Sequence, residues 1–495
     1  MSALVVAAPA DLHAAAVLAI ADGARVRLDP GLVDRLAGSR ATTLAALADS
    51  GPVYGVTTGM GSQSGLGIGT PDQPAYQGDL MLARAVGTAP WLDRRTLRAA
   101  TAVRLRTLLE PEVGVSPDLV AALAATLGAD VHPAVPATGN GAAGEIIPLA
   151  HLGGFLSGSG EGLDDAGGLR PAGDLLAAAG LAPYVLGAKE GVAFLQGVPF
   201  ATAQAVLLGV QVRALVAQQV AVAAAEIALV RAPRAPYDAA LGRGDAELAR
   251  VLTALRDLVG HETSPRMLQA PVSFRVVGPA LAHLLRCLSR LEEAVERALV
   301  GVSTSPALVG GRFLGTAGFD GFDLAAAADA VRVALLHAAE VGTARLHRML
   351  DPRVTGLPAQ LSPQPGRQTG LVAVHKRAVG LVHEARRQSA PASLGATETS
   401  LGQEDVQSFA LEATRVAHDA ARVLLDVTAC ELVAVHQALL LDADPLRGSD
   451  RLHLVLRNAF AALLDETGDR PFGREVTAMT AVLGLGWASE VLVSV

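Results

Sequence analysis

The sequence has few aromatic residues, two cysteines and almost no lysine. Phe, Trp and Tyr make up 3% of its 495 residues, whereas hydrophobic residues of all kinds make up 51%. Alanine, valine and leucine must therefore fill the interior. Because small side chains on long helices allow close helix packing, this composition favours an all-α fold over an all-β fold.

Other scarcities exclude classes of function. Lysine occurs only at Lys189 and Lys376 and the formal net charge is −8, so the chain lacks the basic face that a nucleic-acid-binding protein needs. Cys287 and Cys430 lie in apolar helical patterns, which indicates buried thiols in a reducing compartment. The histidines show no metal-ligand spacing, so we expect no metal site.

The chain also lacks a long uninterrupted apolar run. No cationic start is followed by an apolar signal stretch, and the most apolar segment, 198–230, is broken by six polar residues. A membrane-spanning helix needs about 20 mostly apolar residues. With a mean hydropathy of +0.38, the sequence predicts a soluble cytoplasmic protein whose long helices are buried on several sides.

Three regions are predicted along the chain: a helical, loop-rich part (1–198), a central bundle of long helices (199–443) and a C-terminal helical segment (444–495). The predicted helices cover 9–22, 30–50, 96–110, 116–127, 199–231, 279–300, 323–350, 369–388 and 405–441. In the last five, apolar residues recur at spacings of three and four, with no strand pattern between them. Such a pattern is typical of a helical bundle.

Two loops of the first region are rich in glycine, at 54–61 and 138–144. Neither follows a predicted strand or ends in Gly-Lys-Ser/Thr, so a phosphate-binding loop is not favoured. Tyr54 opens the first loop and is either a proton donor and acceptor or a packed tyrosine. Arg275 either holds a substrate carboxylate or pairs with a neighbouring helix. Glu404 stands at a predicted helix start, where an acidic residue also suits simple capping.

Seven segments, in order along the chain, resemble motifs of the histidine and phenylalanine ammonia-lyase family. They are Val53–Gly61, Gly141–His151, Lys189–Gly197, Gln269–Arg275, Gly318–Gly321, the pair Pro391–Ser393 and Thr399–Ser400, and Gln403–Asp405. The second reads Gly-Ala-Ala-Gly-Glu-Ile-Ile-Pro-Leu-Ala-His, close to the family's Gly-Ala-Ser-Gly core signature. The resemblance implies an all-α, ammonia-lyase/fumarase-like fold and a homotetramer whose active sites are shared between subunits.

The resemblance also implies a methylidene-imidazolone prosthetic group, made in the family from an Ala-Ser-Gly triplet. This sequence has Ala142-Ala143-Gly144. Ala143 carries no hydroxyl to eliminate, so the electrophilic methylene cannot form by that route and we expect no cofactor. Gln196 stands for the family's asparagine and Arg84 for a histidine after the first loop. Further departures are Val272 for a second tyrosine, Val406 for a histidine and Thr57 for an asparagine. So many departures indicate natural loss of the group.

We therefore expect an enzyme that performs acid/base elimination, conjugate addition, isomerisation or cyclisation on a small substrate with a carboxylate. Tyr54 and Glu404 are the expected catalytic residues. The expected substrate-binding residues are Gln196, Gln269, Arg275, Phe319 and Arg84. Two alternatives stay open: a non-catalytic homologue that binds a ligand or a partner, and an ammonia-lyase or aminomutase captured as a serine-to-alanine variant. No nucleic-acid or membrane partner is expected.

Overall fold

The fold is described by a computed structural model that covers residues 3–261, 264–442, 446 and 449–492. These residues are mostly helical, with three small two-stranded sheets. The predicted all-α fold is thus confirmed. The predicted boundary at 443/444 lies outside the described residues, and the division into three regions stays a prediction.

The chain forms two compact units, each built from several segments. Unit 1 comprises Met1–Leu207, Leu291–Asp329 and Pro391–Arg415, and unit 2 comprises Leu208–Arg290, Ala330–Ala390 and Val416–Val495. Residues far apart in the sequence therefore share a unit. The first Gly-rich loop and the 399–405 segment, for example, both belong to unit 1.

The helices before residue 199 have between 5 and 20 residues. They are α1 (Ala14–Ala21), α2 (Pro30–Asp49), α3 (Gln73–Leu82), α4 (Arg94–Leu108), α5 (Pro117–Ala129), α6 (Ile146–Leu156), α7 (Ala172–Ala178) and α8 (Glu190–Phe194). Local capping starts several of them. Asp29 accepts a bond of 2.9 Å from the Gly31 N–H before α2, and Ser116 accepts one of 3.2 Å from the Leu119 N–H before α5. In both helices proline occupies the first position, where its missing N–H costs nothing.

The helices after residue 198 include the longest ones. They are α9 (Pro199–Leu229), α10 (Ala246–Val259), α11 (Val272–Arg275), α12 (Val277–Val300), α13 (Phe322–Met349), α14 (Pro352–Thr355), α15 (Val372–Arg386), α16 (Ala410–Leu441), α17 (Asp450–Phe460) and α18 (Gly473–Gly484). The long apolar runs predicted from the sequence correspond to α9, α12, α13, α15 and α16. The sequence did not predict α3, α6 or α10.

The small sheets all lie in unit 1. Strand β1 (Leu4–Val6) pairs in parallel with β2 (Val26–Leu28), with Leu4 opposite Val26. Strands β3 (Glu161–Leu163) and β4 (Leu169–Pro171) form an antiparallel hairpin, as do β5 (Ala307–Val309) and β6 (Arg312–Leu314). None of these strands exceeds three residues, which is too short for period-two alternation to predict them from the sequence.

A fully buried ion network joins three long helices inside unit 2. Arg345 of α13 donates bonds of 2.6 Å to Glu226 of α9 and to Glu431 of α16, and a third, of 2.8 Å, to the amide oxygen of Gln219. Burial raises the pKa of Glu226 well above its ordinary value, and the nearby Glu431 carboxylate adds to that rise. Removing one member of such a buried group leaves an uncompensated charge, so the network ties the three helices together.

Among the described residues, two segments are long and apolar enough to cross a membrane, Glu190–Leu229 and Ala410–Leu441. In each segment most of the apolar 18-residue stretch is buried inside the protein, 78% of it in the first and 72% in the second. Burial of this extent is what a core helix shows, and it leaves little apolar surface for lipid contact.

Candidate active site

A cavity of about 1240 Å³ lies in unit 1. Of the residues singled out from the sequence, Tyr54, Arg84, Ala142, Ala143, Gln196, Phe319 and Glu404 line it. These residues come from six separate stretches of the chain, and the fold brings all of them to one concave surface. A large cavity with a few convergent polar groups is the ordinary form of a small-molecule site.

Tyr54 presents its phenol to the cavity from a tightly folded loop. The Val53 carbonyl accepts a bond of 3.0 Å from the Thr57 N–H, and the Thr57 hydroxyl oxygen accepts one of 2.7 Å from the Val53 N–H. Thr57 therefore closes the loop with its side chain. The Tyr54 hydroxyl oxygen accepts a bond of 2.8 Å from the Gly61 N–H. Because that bond uses an oxygen lone pair, the phenol proton stays available for transfer.

Gln77 of α3 fastens this loop to α8. Its side-chain amide is fully buried, donates a bond of 3.0 Å to the Gly55 carbonyl and accepts one of 3.1 Å from the Val192 N–H. The backbones approach closely here: a Cβ added at Gly55, where φ is +69°, would lie 2.6 Å from Val192. Glycine at this position is therefore required by both conformation and space.

Glu404 is held on both carboxylate oxygens. Its Oε1 accepts a bond of 3.0 Å from the Ser400 hydroxyl, and its Oε2 accepts one of 2.8 Å from the Ala143 N–H. A backbone bridge between Thr399 and Glu404 closes the turn that carries them. In this turn Ser400 and Leu401 are both left-handed, with φ of +53° and +54°. For a side chain as bulky as that of Leu401 this conformation is strained, and such strain concentrates at functional sites.

Ser400 also packs against the Tyr54 loop. A Cβ added at Gly61 would lie 3.3 Å from the Ser400 Oγ. Gly61, whose N–H donates to the Tyr54 phenol, therefore also leaves room for Ser400. The Ser400 hydroxyl in turn donates to Glu404. The segments that carry the two candidate catalytic side chains therefore meet at Gly61 and Ser400.

The Ala142-Ala143-Gly144 loop is held by contacts at Gly144. The Asn140 side-chain amide donates a bond of 2.8 Å to the Gly144 carbonyl. Gly144 has φ of +85°, and a Cβ there would lie 3.0 Å from the Phe319 carbonyl oxygen and 3.2 Å from that of Gly197. Ala143 lines the cavity, as does Glu404, which accepts the Ala143 N–H.

Glu145 links this loop to the segment that carries Gln196. It accepts bonds of 2.6 Å from the N–H groups of Phe200 and Ala201, at the start of α9, and its own N–H donates to the Gly197 carbonyl. A carboxylate at a helix N-terminus satisfies N–H groups that the helix leaves open. Burial raises the pKa of Glu145 to about 8, although both N–H bonds act in the opposite direction.

Arg104 supports the same segment from its other side. Its guanidinium donates to the Ala193 carbonyl and, at 2.8 Å, to the Gln196 carbonyl. Complete burial lowers the pKa of Arg104 to about 9, and the nearby Glu145 carboxylate opposes that shift. Sequence analysis missed both residues as supporting residues. Arg104 lies in a pattern that helix formation alone explains, and Glu145 lies in the Gly141–His151 motif, which was interpreted only for its Ala142-Ala143-Gly144 triplet.

Asp320 is a cavity residue that had been given no role. It lies in Gly318–Gly321, one of the segments that resemble an ammonia-lyase motif, so that resemblance was the available signal. Its Oδ1 accepts a bond of 2.9 Å from the Phe322 N–H, and burial raises its pKa above the ordinary value. With Glu404 and Asp405 it contributes a third carboxylate to the cavity lining.

The two remaining predicted site residues, Gln269 and Arg275, belong to unit 2 and are not among the described residues that line this cavity. Arg275 ends α11, and its Nε donates a bond of 3.0 Å to the Ala270 carbonyl. Gln269 is exposed, as is the side chain of Val272. The cavity of unit 1 therefore accounts for five of the seven predicted catalytic and substrate-binding residues.

The histidines of unit 1 bond to the backbone. His132 Nε2 lies 3.0 Å from the Leu92 carbonyl oxygen, and His151 accepts a bond of 3.0 Å from the Gly87 N–H. Over the part of the chain that the structure describes, no three His, Cys, Asp or Glu residues are grouped as metal ligands would be.

Comparison with known proteins matches most of the chain. The family model described as aromatic amino acid lyase matches residues 12–461. The histidine ammonia-lyase of Rhodospirillum rubrum is 30% identical over 475 residues, which cover 93% of this chain and 91% of that protein. The histidine ammonia-lyase of Geobacillus sp. is 29% identical over 464 residues, covering 91% and 90%.

Solved structures share the fold at low sequence identity. The ergothionase of Treponema denticola, an ergothioneine-degrading enzyme, aligns with a TM-score of 0.91 at 19% identity and covers 98% of this chain and 99% of that one. The tyrosine aminomutase of Streptomyces globisporus aligns with a TM-score of 0.91 at 23% identity, covering 97% of each chain. Both matches extend along nearly the whole length.

Proposed function

The chain belongs to the aromatic amino acid lyase family, and from that membership we propose a lyase-like enzyme that works without the methylidene-imidazolone group. Its reaction would be an acid/base elimination, conjugate addition, isomerisation or cyclisation of a small substrate with a carboxylate. The observation that carries this proposal is the lining of one cavity by Tyr54, Gln196, Phe319 and Glu404 around a loop residue, Ala143, that has only a methyl group.

The residues of the loop do not fit the prosthetic group of the family. The group needs a leaving hydroxyl at the middle residue of the triplet, and Ala143 has none. Ring closure also turns the nitrogen of that residue into an imine without hydrogen, whereas the Ala143 N–H donates to Glu404. No step of the proposed reaction therefore passes through it.

In the proposed reaction Tyr54 moves the proton. Its oxygen faces the cavity and accepts the Gly61 N–H, which stabilises the negative charge that develops when the phenol gives up its proton. Glu404, held by Ser400 and Ala143, accepts or returns the second proton. Gln196 binds the polar part of the substrate, and Phe319 forms the apolar wall. Proton transfer by placed side chains is worth about 10²–10⁴-fold in rate, so a substrate that is already activated suits this site.

We also propose a homotetramer in which another subunit contributes Gln269 and Arg275. Beside these two residues, Leu268 is 95% exposed and Val272 is 59% exposed. Exposed apolar side chains beside two predicted site residues that do not line the cavity of unit 1 favour an intersubunit contact at this place. Sedimentation of the purified protein should give a mass near four times 50.4 kDa. A monomer would contradict this part of the proposal.

The catalytic proposal is tested by turnover. The purified protein is incubated with histidine, tyrosine, phenylalanine and their α,β-unsaturated acids, each acid with and without ammonia, and products are followed by mass spectrometry. We expect a conversion that borohydride does not inhibit and that Tyr54→Phe removes. Ligand-induced stabilisation without any conversion would favour the non-catalytic alternative. Borohydride-sensitive ammonia release by Ala143→Ser alone would favour the captured-variant alternative.

A further inference from the structure

A second cavity of unit 1, of about 480 Å³, lies where the C-terminal ends of α1 and α5 meet the N-terminal end of α4. Its charged lining residues are Asp22, Arg25, Arg94, Arg95, Arg98 and Asp130. None of them is among the described residues that line the candidate active site. Small-molecule sites have volumes of about 300–1,000 Å³. The cavity is therefore large enough for a ligand that is separate from the substrate.

Arg98 has a structural role that accounts for its side chain. It is buried, and its guanidinium donates bonds of 2.8 Å to the carbonyl oxygens of Ile20 and Leu127 and one of 3.0 Å to that of Ala24. Ile20 and Leu127 lie in the last turns of α1 and α5, where carbonyl groups lack a partner within the helix. Arg98 thus joins the two helix ends and adds a buried positive charge to the cavity lining.

Helix formation does not explain Arg94 and Arg95. They are the first two residues of α4, where the positive end of the helix dipole disfavours a cation. Arg94 pairs with Asp130 at 3.0 Å, whereas Arg95 has one partner among the described residues, the Asp22 carboxylate, which lies 2.7 Å from its Nε. The two terminal nitrogens of Arg95 therefore keep four N–H donors available.

Arg25 is held by its backbone and not by its side chain. Its carbonyl accepts a bond of 2.8 Å from the Leu4 N–H, beside the pairing of β1 with β2. Its side chain is exposed and makes no hydrogen bond or ion pair within the part of the chain that the structure describes. A guanidinium has five N–H donors in a fixed fork. Arg25 therefore brings an unused fork to the cavity lining.

The carboxylates of the cavity leave a positive excess. Four arginines and two aspartates line it, which gives a net charge of +2. Asp130 lies within 3.1 Å of two of the arginines, and Asp22 lies 2.7 Å from one. Asp165 lies 3.6 Å from Arg94 but does not line the cavity, and it reduces the excess further. A phosphate monoester, with a charge of about −1.5 to −2 at neutral pH, matches what remains.

We propose that this cavity binds a phosphate group, either inorganic phosphate or the phosphate monoester of a small molecule, and that Arg25 and Arg95 are its ligands. A carboxylate is satisfied by the fork of one arginine, whereas a phosphate monoester offers three acceptor oxygens that two guanidinium groups can share. The planar fork also makes arginine well suited to phosphate recognition. The inference does not depend on the proposed reaction, because no residue of this cavity takes part in it.

Titration calorimetry of the full-length protein, at low ionic strength and about pH 8, tests the proposal with inorganic phosphate and glycerol 3-phosphate as probes. We expect one saturable site per chain, whereas sodium chloride at the same ionic strength should show no saturation. Tighter binding of glycerol 3-phosphate would identify a site for an organic phosphate, and equal or tighter binding of inorganic phosphate would identify a site for the ion itself. Absence of saturable binding of both probes would overturn the inference.

Arginine variants locate the site. Arg25→Gln removes a side chain that has no partner among the described residues, so the fold should persist. It should weaken phosphate binding at least about tenfold, because a charge-assisted pair is lost. Arg243→Gln, which removes an exposed arginine of unit 2, is the matched control and should leave the affinity unchanged. Unchanged affinity in Arg25→Gln, or binding that is lost in Arg84→Gln instead, would contradict the inference, and the second result would place the anion in the candidate active site.

Gly128 allows a test that removes no contact. It lines the cavity, and a Cβ added there would meet no heavy atom within 4 Å outside the backbone of its own helix. Gly128→Glu should therefore be accommodated, and its carboxylate should weaken phosphate binding at least about tenfold by repulsion and by competition for the arginines. Gly128→Gln has the same shape without the charge and should keep most of the affinity. Equal affinities of these two variants would count against an anion site.

Discussion

The backbone N–H of Ala143 donates a hydrogen bond of 2.8 Å to Oε2 of Glu404. This bond joins the loop that forms the prosthetic group in related enzymes to the acid expected to act in catalysis. It requires an open chain, since the nitrogen of the middle residue keeps no hydrogen after ring closure. The loop and Glu404 are therefore coupled through a bond that a cyclised loop would lose.

The first prediction concerns the covalent state of the loop. We expect the intact mass of the purified protein to equal that of its unmodified sequence, and the peptide that contains Ala142–Gly144 to have its linear mass. Loss of one water at that peptide would show that the ring closes without the hydroxyl. Peptides containing other Ala-Gly pairs provide the internal control in the same digest.

Tyr54→Phe should lower turnover by about 10²–10⁴-fold, because it removes the proton that the phenol transfers. Its fold should persist, since within the described part of the chain the lost oxygen accepts only the Gly61 N–H. Tyr184→Phe is the matched control. It removes a hydroxyl bonded at 2.8 Å to both Ser116 and Glu190, so it should cost about 1 kcal/mol of stability and leave turnover unchanged. Equal turnover in both variants would exclude Tyr54 from the mechanism.

Glu145→Ala should lower the free energy of unfolding by about 1–3 kcal/mol, because two N–H groups at the start of α9 lose their buried acceptor. Chemical denaturation followed by circular dichroism measures the change. Glu145→Gln keeps an acceptor oxygen and should cost less. Glu296→Ala, an exposed change on α12, should have little effect. A Glu145→Ala variant as stable as Glu296→Ala would contradict the capping role.

Lys189 should make stability depend on pH. Its ammonium donates a bond of 2.7 Å to the Val113 carbonyl, and burial lowers its pKa from 10.5 to about 7, with the Arg40 charge adding to the shift. Between those values the unfolded chain binds a proton that the folded chain lacks, so this group makes the free energy of unfolding rise with pH. The slope is at most about 1.4 kcal/mol per pH unit.

The two lysines of the chain provide the comparison. The difference in unfolding free energy between the unaltered protein and Lys189→Met should increase between about pH 7 and pH 10, while the same difference for the exposed Lys376→Met should stay constant. Urea denaturation at several pH values measures both. Parallel profiles for the two variants would show that Lys189 keeps its charge in the folded protein.

The long helices could be predicted from the sequence because their apolar residues recur at helical spacing over many turns. Predicted and observed ends of α9 and α13 differ by at most two residues. The short helix α3 was missed because Pro74 and Gly78 interrupt its pattern. The three-residue strands carry too few residues for any periodicity.

The candidate site was predictable only in part, for a physical reason. Motif matching selects residues that touch a substrate, and Tyr54, Gln196, Phe319 and Glu404 do line one cavity. Supporting contacts such as that of Gln77 with Gly55 run from a side chain to a backbone group. Because every residue has the same backbone groups, the sequence does not indicate which residue is the partner. Such contacts can be identified only from the structure.

The closeness of Gly61 and Ser400 links changes at one position of this cavity to the other. Any side chain introduced at Gly61 would press on the Ser400 hydroxyl and would have to adopt a φ of +61°. Because the same hydroxyl donates to Oε1 of Glu404, a displacement of Ser400 would also disturb the candidate acid. Libraries aimed at a new specificity should therefore vary positions 61 and 400 together.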